Sequence, residues 1–171
     1  LGTGLVSTAL KCEEADPALV DKAVKAMTTL NRLAAELMTQ MPEIHACTDV
    51  TGFGLLGHAC EMIEGSDVGL KIDASTVPFF DGVRELVETG FVPGGLYRNK
   101  NFRMPMIDVR PTCPEWLLEI LFDPQTSGGL LFSLPAGDAE ILVKKMRDAG
   151  ISDAAIVGEV VAEPKGKIVV V

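Results

Sequence analysis

His45-Ala46-Cys47-Thr48-Asp49-Val50-Thr51-Gly52-Phe53-Gly54-Leu55-Leu56-Gly57-His58 runs from an apolar, strand-like segment through a carboxylate into a glycine-rich turn, and then into a helix. That order sets one acid beside backbone N–H groups at a helix N-terminus. Such a place suits a phosphate and the divalent metal that accompanies it. Gly52, Gly54 and Gly57 also spell G-x-G-x-x-G, the fingerprint of a dinucleotide-binding turn. Fold and function both depend on which reading holds.

The dinucleotide reading has a strand before the glycines, a helix after them, and Asp73 near the end of the next strand-like run. Against it, Asp49 would sit close to a pyrophosphate that is already negative, and Thr51 loosens the junction between strand and glycine. The metal reading explains the acid: Asp49 stands at a strand end beside the hydroxyls of Thr48 and Thr51. A carboxylate joined to a polyphosphate through Mg²⁺ needs no lysine there, because the metal is the bridge. A third reading has no ligand at all, with Asp49 and Thr51 capping the following helix.

Around this block the periodicities outline the rest. Asp16-Pro17 starts a helix, and Val20, Val24, Met27, Leu30, Ala34, Leu37 and Met41 predict that it runs unbroken to Pro42 with its methionines in the core. Strands are expected over 44–50, 68–72 and 130–134, and helices over 55–63, 79–89, 114–121 and 139–149. Residues 92–111, with three prolines and Gly94-Gly95, read as a long irregular loop holding Arg98 and Asn99 in solvent. Residues 155–161 and 167–171 read as a terminal hairpin around Pro164-Lys165-Gly166. The expected class is α+β: one domain over 1–171, a mixed β-sheet layered with α-helices. The hairpin and the long leading helix do not fit a doubly wound sheet.

The chain has 171 residues, 47% of them hydrophobic, and a net charge of −9. Its mean hydropathy is +0.28. This composition supports a packed core and argues against general nucleic-acid binding. No apolar run is long enough to suggest a membrane span. The first residue is Leu1 rather than Met and no basic leader precedes an apolar stretch, so the chain reads as a piece of a longer, cytoplasmic protein. Its four cysteines show no C-x-x-C spacing and read as reduced. Cys47 and Cys60 are expected as small buried hydrophobes. A zinc site from His45, Cys47, His58 and Cys60 is disfavoured, because the strand pair and the helix pair diverge.

Thr48 through His58 resembles the signature of the C-terminal domain of the selenophosphate synthetase (selenide, water dikinase) family. A second block agrees: Leu121-Phe122-Asp123-Pro124-Gln125-Thr126-Ser127-Gly128-Gly129-Leu130-Leu131. Leu1-Gly2-Thr3-Gly4 resembles the family's crossing from its N-terminal domain. The order and spacing of the blocks fit over essentially the whole chain. The wider superfamily includes aminoimidazole ribonucleotide synthetase, thiamine-monophosphate kinase and a hydrogenase maturation protein.

The resemblance implies the C-terminal domain of the aminoimidazole ribonucleotide synthetase-like fold. It implies a phosphotransferase that makes selenophosphate, AMP and orthophosphate from ATP, selenide and water, with Mg²⁺ bridging phosphates and carboxylates. It places the nucleophile, an essential lysine and most metal-binding carboxylates in an N-terminal domain outside this chain, so no catalytic residue is expected here. Asp49 matches the metal-binding aspartate that the C-terminal domain supplies. Thr48, Thr51, Gln125 and Thr126 fall in the nucleotide and phosphate vicinity. The chain alone is expected to be inactive, and the full-length protein to be a homodimer formed chiefly through the N-terminal domain. Other readings stay open: an ATP-dependent superfamily member with another substrate, a non-catalytic paralogue, or a Rossmann-type NAD domain.

Overall fold

Asp16 opens the second helix by accepting the Ala18 amide at 3.0 Å, with Pro17 at the first helical position, as the sequence asks. A computed structural model describes residues 1–171. Eight α-helices and six strands alternate: α1 (Thr3–Lys11), α2 (Pro17–Thr28), α3 (Arg32–Met38), β1 (Ala46–Asp49), α4 (Gly54–Ile63), β2 (Gly69–Ile72), α5 (Val83–Glu88), α6 (Gly94–Arg103), β3 (Ile107–Val109), α7 (Glu115–Phe122), β4 (Leu130–Ser133), α8 (Ala136–Asp148), β5 (Gly158–Val161) and β6 (Ile168–Val170). β1 and β4 form an antiparallel ribbon, with Asp49 opposite Leu130. The other four strands form a mixed sheet in the order β3-β6-β2-β5. Leu5 and Val6 of α1, Leu55 and Leu56 of α4, and Leu121 and Phe122 of α7 meet in one apolar core.

Four expectations are corrected. The long leading helix breaks between α2 and α3. The Thr28 and Thr29 hydroxyls bond back to the carbonyls of Val24 and Lys25, and Thr29 turns extended. Asn31 then leaves the helical path to donate to the Gly128 carbonyl at 2.8 Å. The face buried by α2 carries Leu19 and Ala23, while Val24 and Leu30 are exposed and the methionines only half-buried.

Residues 155–171 do not form a hairpin. β2 lies between the two strands, antiparallel to β5 and parallel to β6. The turn before β6 straddles the start of β2: the Gly166 amide donates to Val68 O and the Leu70 amide to Lys167 O. Gly69 permits this crossing, since a Cβ there would lie 2.2 Å from Pro164 O.

The segment read as an irregular loop contains α6 and β3. Leu96, Asn99 and Arg103 recur at helical spacing and are buried, but two of the three are polar, so an apolar periodicity does not show. Cys47 is exposed, and only Cys60 of that pair is buried. No helix is long and apolar enough to cross a membrane.

Candidate functional site

β1 delivers Asp49 to the end of the ribbon, and the three sequence blocks converge there. The Val50 amide donates to Gly129 O at 2.8 Å and the Gln125 amide to Thr51 O at 3.0 Å. The glycine-rich turn after β1 is thus stitched to the turn between α7 and β4. Gly128 is drawn so close that a Cβ would stand 1.9 Å from Val50 O. The glycines after Asp49 have different jobs. Gly54 has φ +71° and presses on the backbone of Phe122, and a Cβ on Gly57 would meet Phe53 at 2.6 Å. Gly52 has open space beside it.

This geometry rejects two of the sequence alternatives. β1 pairs only with β4, antiparallel, so no parallel unit joins it to β2 as a dinucleotide fold requires. The helix cap is also absent: the residue before α4 is Phe53, and no side chain caps that helix. The Asp49 carboxylate is exposed and accepts no hydrogen bond from the protein. Thr48 Oγ1 donates to the Asp49 carbonyl at 3.3 Å, and Thr51 Oγ1 lies 3.1 Å from His58 Nε2. The amides of Thr51, Gly52, Ser127, Gly128 and Gly129 find no acceptor in the protein. Ser127, within this turn, has φ +49°, in the left-handed region. A carboxylate beside unpaired amides suits an anion carried with a hard cation. No group of three or more His, Cys, Asp or Glu side chains is placed to hold a metal, so the zinc reading fails.

Gln125 does not face this surface. It is 7% exposed, and its Oε1 accepts the Gly2 and Thr3 amides at 3.2 and 3.3 Å and the Thr3 hydroxyl at 3.1 Å. Its Nε2 donates to the carbonyl and to Oδ2 of Asp123, both at 2.8 Å. Thr126 is exposed, and its amide donates to Thr3 Oγ1 at 3.0 Å. Together these contacts clamp the start of α1 onto the turn. Gly4 completes the clamp: its amide donates to Asp123 Oδ2 at 3.0 Å, and a Cβ would lie 2.5 Å from Oδ1.

Asp123 is fully buried, and its Oδ1 has no partner. Burial pushes its carboxyl from the ordinary 3.8 up to about 6, against the pull of the Gln125 and Gly4 hydrogen bonds. Between those two values the folded chain keeps a proton that the unfolded chain has lost. Stability contributed by this group therefore falls as pH rises from about 4 to about 6, and is level above. Asp123→Asn is expected to flatten that interval in urea unfolding followed against pH. An unchanged slope would show that Asp123 does not carry it.

Sequence reasoning missed three residues that shape the site. Asn99 Nδ2 donates to Gly52 O at 2.9 Å and to Phe122 O at 3.2 Å, pinning the glycine turn to the end of α7. Asn31 holds the other turn, and His58 sits behind the first. Lone polar residues read as solvated from sequence. The only available signal for Asn99 was its helical spacing from Leu96 and Arg103.

The family described as AIR synthase related protein, C-terminal domain, matches residues 1–171. The chain belongs to this family. Among curated relatives of the AIR synthase related domain, the selenide, water dikinase of Pelobacter propionicus is 46% identical over 99% of this chain and 49% of its own length. That of Geobacter metallireducens is 47% identical over 100% and 49%, and that of Clostridioides difficile 38% over 98% and 47%. The chain spans about half the length of these relatives. The domain's fold recurs in E. coli HypE, with a TM-score of 0.60, 18% identity, and coverage of 84% of this chain and 36% of that one. A HypE structure in complex with ATP gives a TM-score of 0.55 at 21% identity, covering 83% and 36%.

Proposed function

We propose that this domain is the C-terminal part of a selenide, water dikinase, which makes selenophosphate, AMP and orthophosphate from ATP, selenide and water. The observation that carries the reading is Asp49: an exposed carboxylate without a protein partner, at a strand end, beside two turns of unpaired amides. The dikinase relatives align with almost the whole chain at 46% and 47% identity and support the same reading. Asp49 would hold Mg²⁺, whose hard oxygen preference its carboxylate fits. Bound there, the metal would neutralise phosphate charge. Asp49 would share the metal with phosphate oxygens and water, and any further carboxylates would come from the half of the protein outside this chain.

In this reading Thr48 and Thr51 border the phosphates, and the amides of Thr51, Gly52 and the 127–129 turn receive phosphate oxygens. Thr126 stands at the rim. Gln125 acts from below, by fixing the turn through α1. Phosphoryl transfer depends mainly on position and charge, and these residues contribute position. The nucleophile lies outside the chain. The assembled protein is then a cytoplasmic homodimer joined chiefly through the other half.

The test compares the chain alone with the full-length protein. Selenide-dependent conversion of ATP to AMP is expected from the full-length protein and absent from residues 1–171. Turnover by the isolated chain would contradict this division of the site.

A further inference from the structure

His58 lies behind the turn that follows Asp49. The residue is buried, 7% exposed, on the first turns of α4, where side chains lean back toward the helix N-terminus. Nδ1 stands 2.9 Å from Glu61 Oε2. An ionised carboxylate only accepts, so Nδ1 carries the proton. The Phe53 amide, which can only donate, reaches Nε2 at 3.4 Å, so Nε2 is an acceptor, and the Thr51 hydroxyl at 3.1 Å donates to it as well. Glu61 is itself held. Arg103 Nη2 lies 3.6 Å from Glu61 Oε1, and Arg103 Nη1 lies 3.2 Å from Glu64 Oε2. Arg103 is buried and comes from α6. A line of contacts thus runs from a buried guanidinium through a carboxylate and an imidazole to the turn beside Asp49.

The line decides which groups of that turn remain available. By accepting the hydrogen bond of the Thr51 hydroxyl, His58 leaves the lone pairs of the Thr51 oxygen for a partner outside. By accepting the Phe53 amide, it fixes the plane of that peptide. The amides of Thr51 and Gly52 stay unpaired. We propose that His58 is a positioning residue for phosphoryl transfer: its Nε2, held as an acceptor by Glu61 and Arg103, sets the Thr51–Phe53 turn against the phosphate-bearing ligand of Asp49. This rests on the dikinase reading. The competing role is purely structural, with His58 anchoring α4 to α6 through Nδ1 and Glu61.

Two substitutions in the full-length protein separate the roles. A glutamine amide reaches roughly the place of Nε2, and an asparagine amide roughly that of Nδ1. His58→Gln is expected to keep selenophosphate formation within about threefold of native, and His58→Asn to lose about tenfold or more, as residues supporting a site commonly do. Hydrogen exchange at the Phe53 amide is expected to quicken in His58→Asn and not in His58→Gln. Nitrogen NMR of the native imidazole is expected to show a protonated Nδ1 and a bare Nε2. Equal activity of the two variants, or better activity of His58→Asn, overturns the proposal. If the native protein makes no selenophosphate, the dikinase reading fails separately and the exchange rates decide. Faster exchange in Asn than in Gln then supports positioning of the turn, and equal exchange overturns it.

Discussion

Gly128→Ala is expected to destabilise the protein by about 3 kcal/mol or more, the range of forced overpacking against atoms that cannot yield. The new Cβ would lie 1.9 Å from the carbonyl oxygen of Val50. That atom is backbone, in the segment that joins β1 to the glycine turn, so no side chain can rotate away. Separating the two turns would also cost the Gln125–Thr51 and Val50–Gly129 backbone bonds and the Asn31 contact to Gly128 O. Gly129→Ala is the control. Its Cβ would meet nothing within 4 Å, and its cost should stay within about 1 kcal/mol. Urea unfolding midpoints measure both. Equal midpoints would show that the turns are not locked together as described.

Asp49→Asn is expected to leave stability unchanged within about 0.5 kcal/mol, as for an exposed side chain without partners. Selenophosphate formation by the full-length protein should fall by about a hundredfold or more, because the variant keeps the shape and loses the charge proposed to hold Mg²⁺. More Mg²⁺ should be needed to approach saturation. A capping role predicts the reverse pattern, a loss of about 1 kcal/mol in stability with activity retained. Thermal unfolding and Mg²⁺-dependent turnover on the same preparations distinguish the two.

Local signals carried much of the fold. Asp16-Pro17 starts α2 as expected, and Asp123-Pro124 and the positive-φ glycines at 65, 90 and 150 stand just past the ends of α7, α4, α5 and α8. The elements at 46–49, 54–63, 130–133 and 136–148 lie where the periodicities put them. Two of the missing parts depend on contacts distant along the chain. Whether two terminal strands pair with each other or admit β2 between them depends on Gly69 and on the crossing turn, not on the strands' own residues. The break between α2 and α3 combines the local Thr28 and Thr29 hydroxyl bonds with Asn31 reaching a carbonyl at residue 128.

The site divides in the same way. Asp49 and its glycine turn are legible because acid, hydroxyls and glycines are neighbours in sequence. The clamp of Gln125 and Asp123 on α1 joins residues about 120 positions apart, and nothing local announces it. Asn99 and Arg103 are buried polar residues on a helix with little apolar pattern, the case that hydrophobic periodicity cannot detect.

The most direct test of the account is phosphorus NMR of the native full-length protein with Mg²⁺-ATP and selenide under anaerobic conditions. A new resonance flanked by phosphorus–selenium coupling satellites, appearing together with AMP and orthophosphate, is expected. ATP consumed to ADP with no phosphorus–selenium product, or no consumption at all, would contradict it.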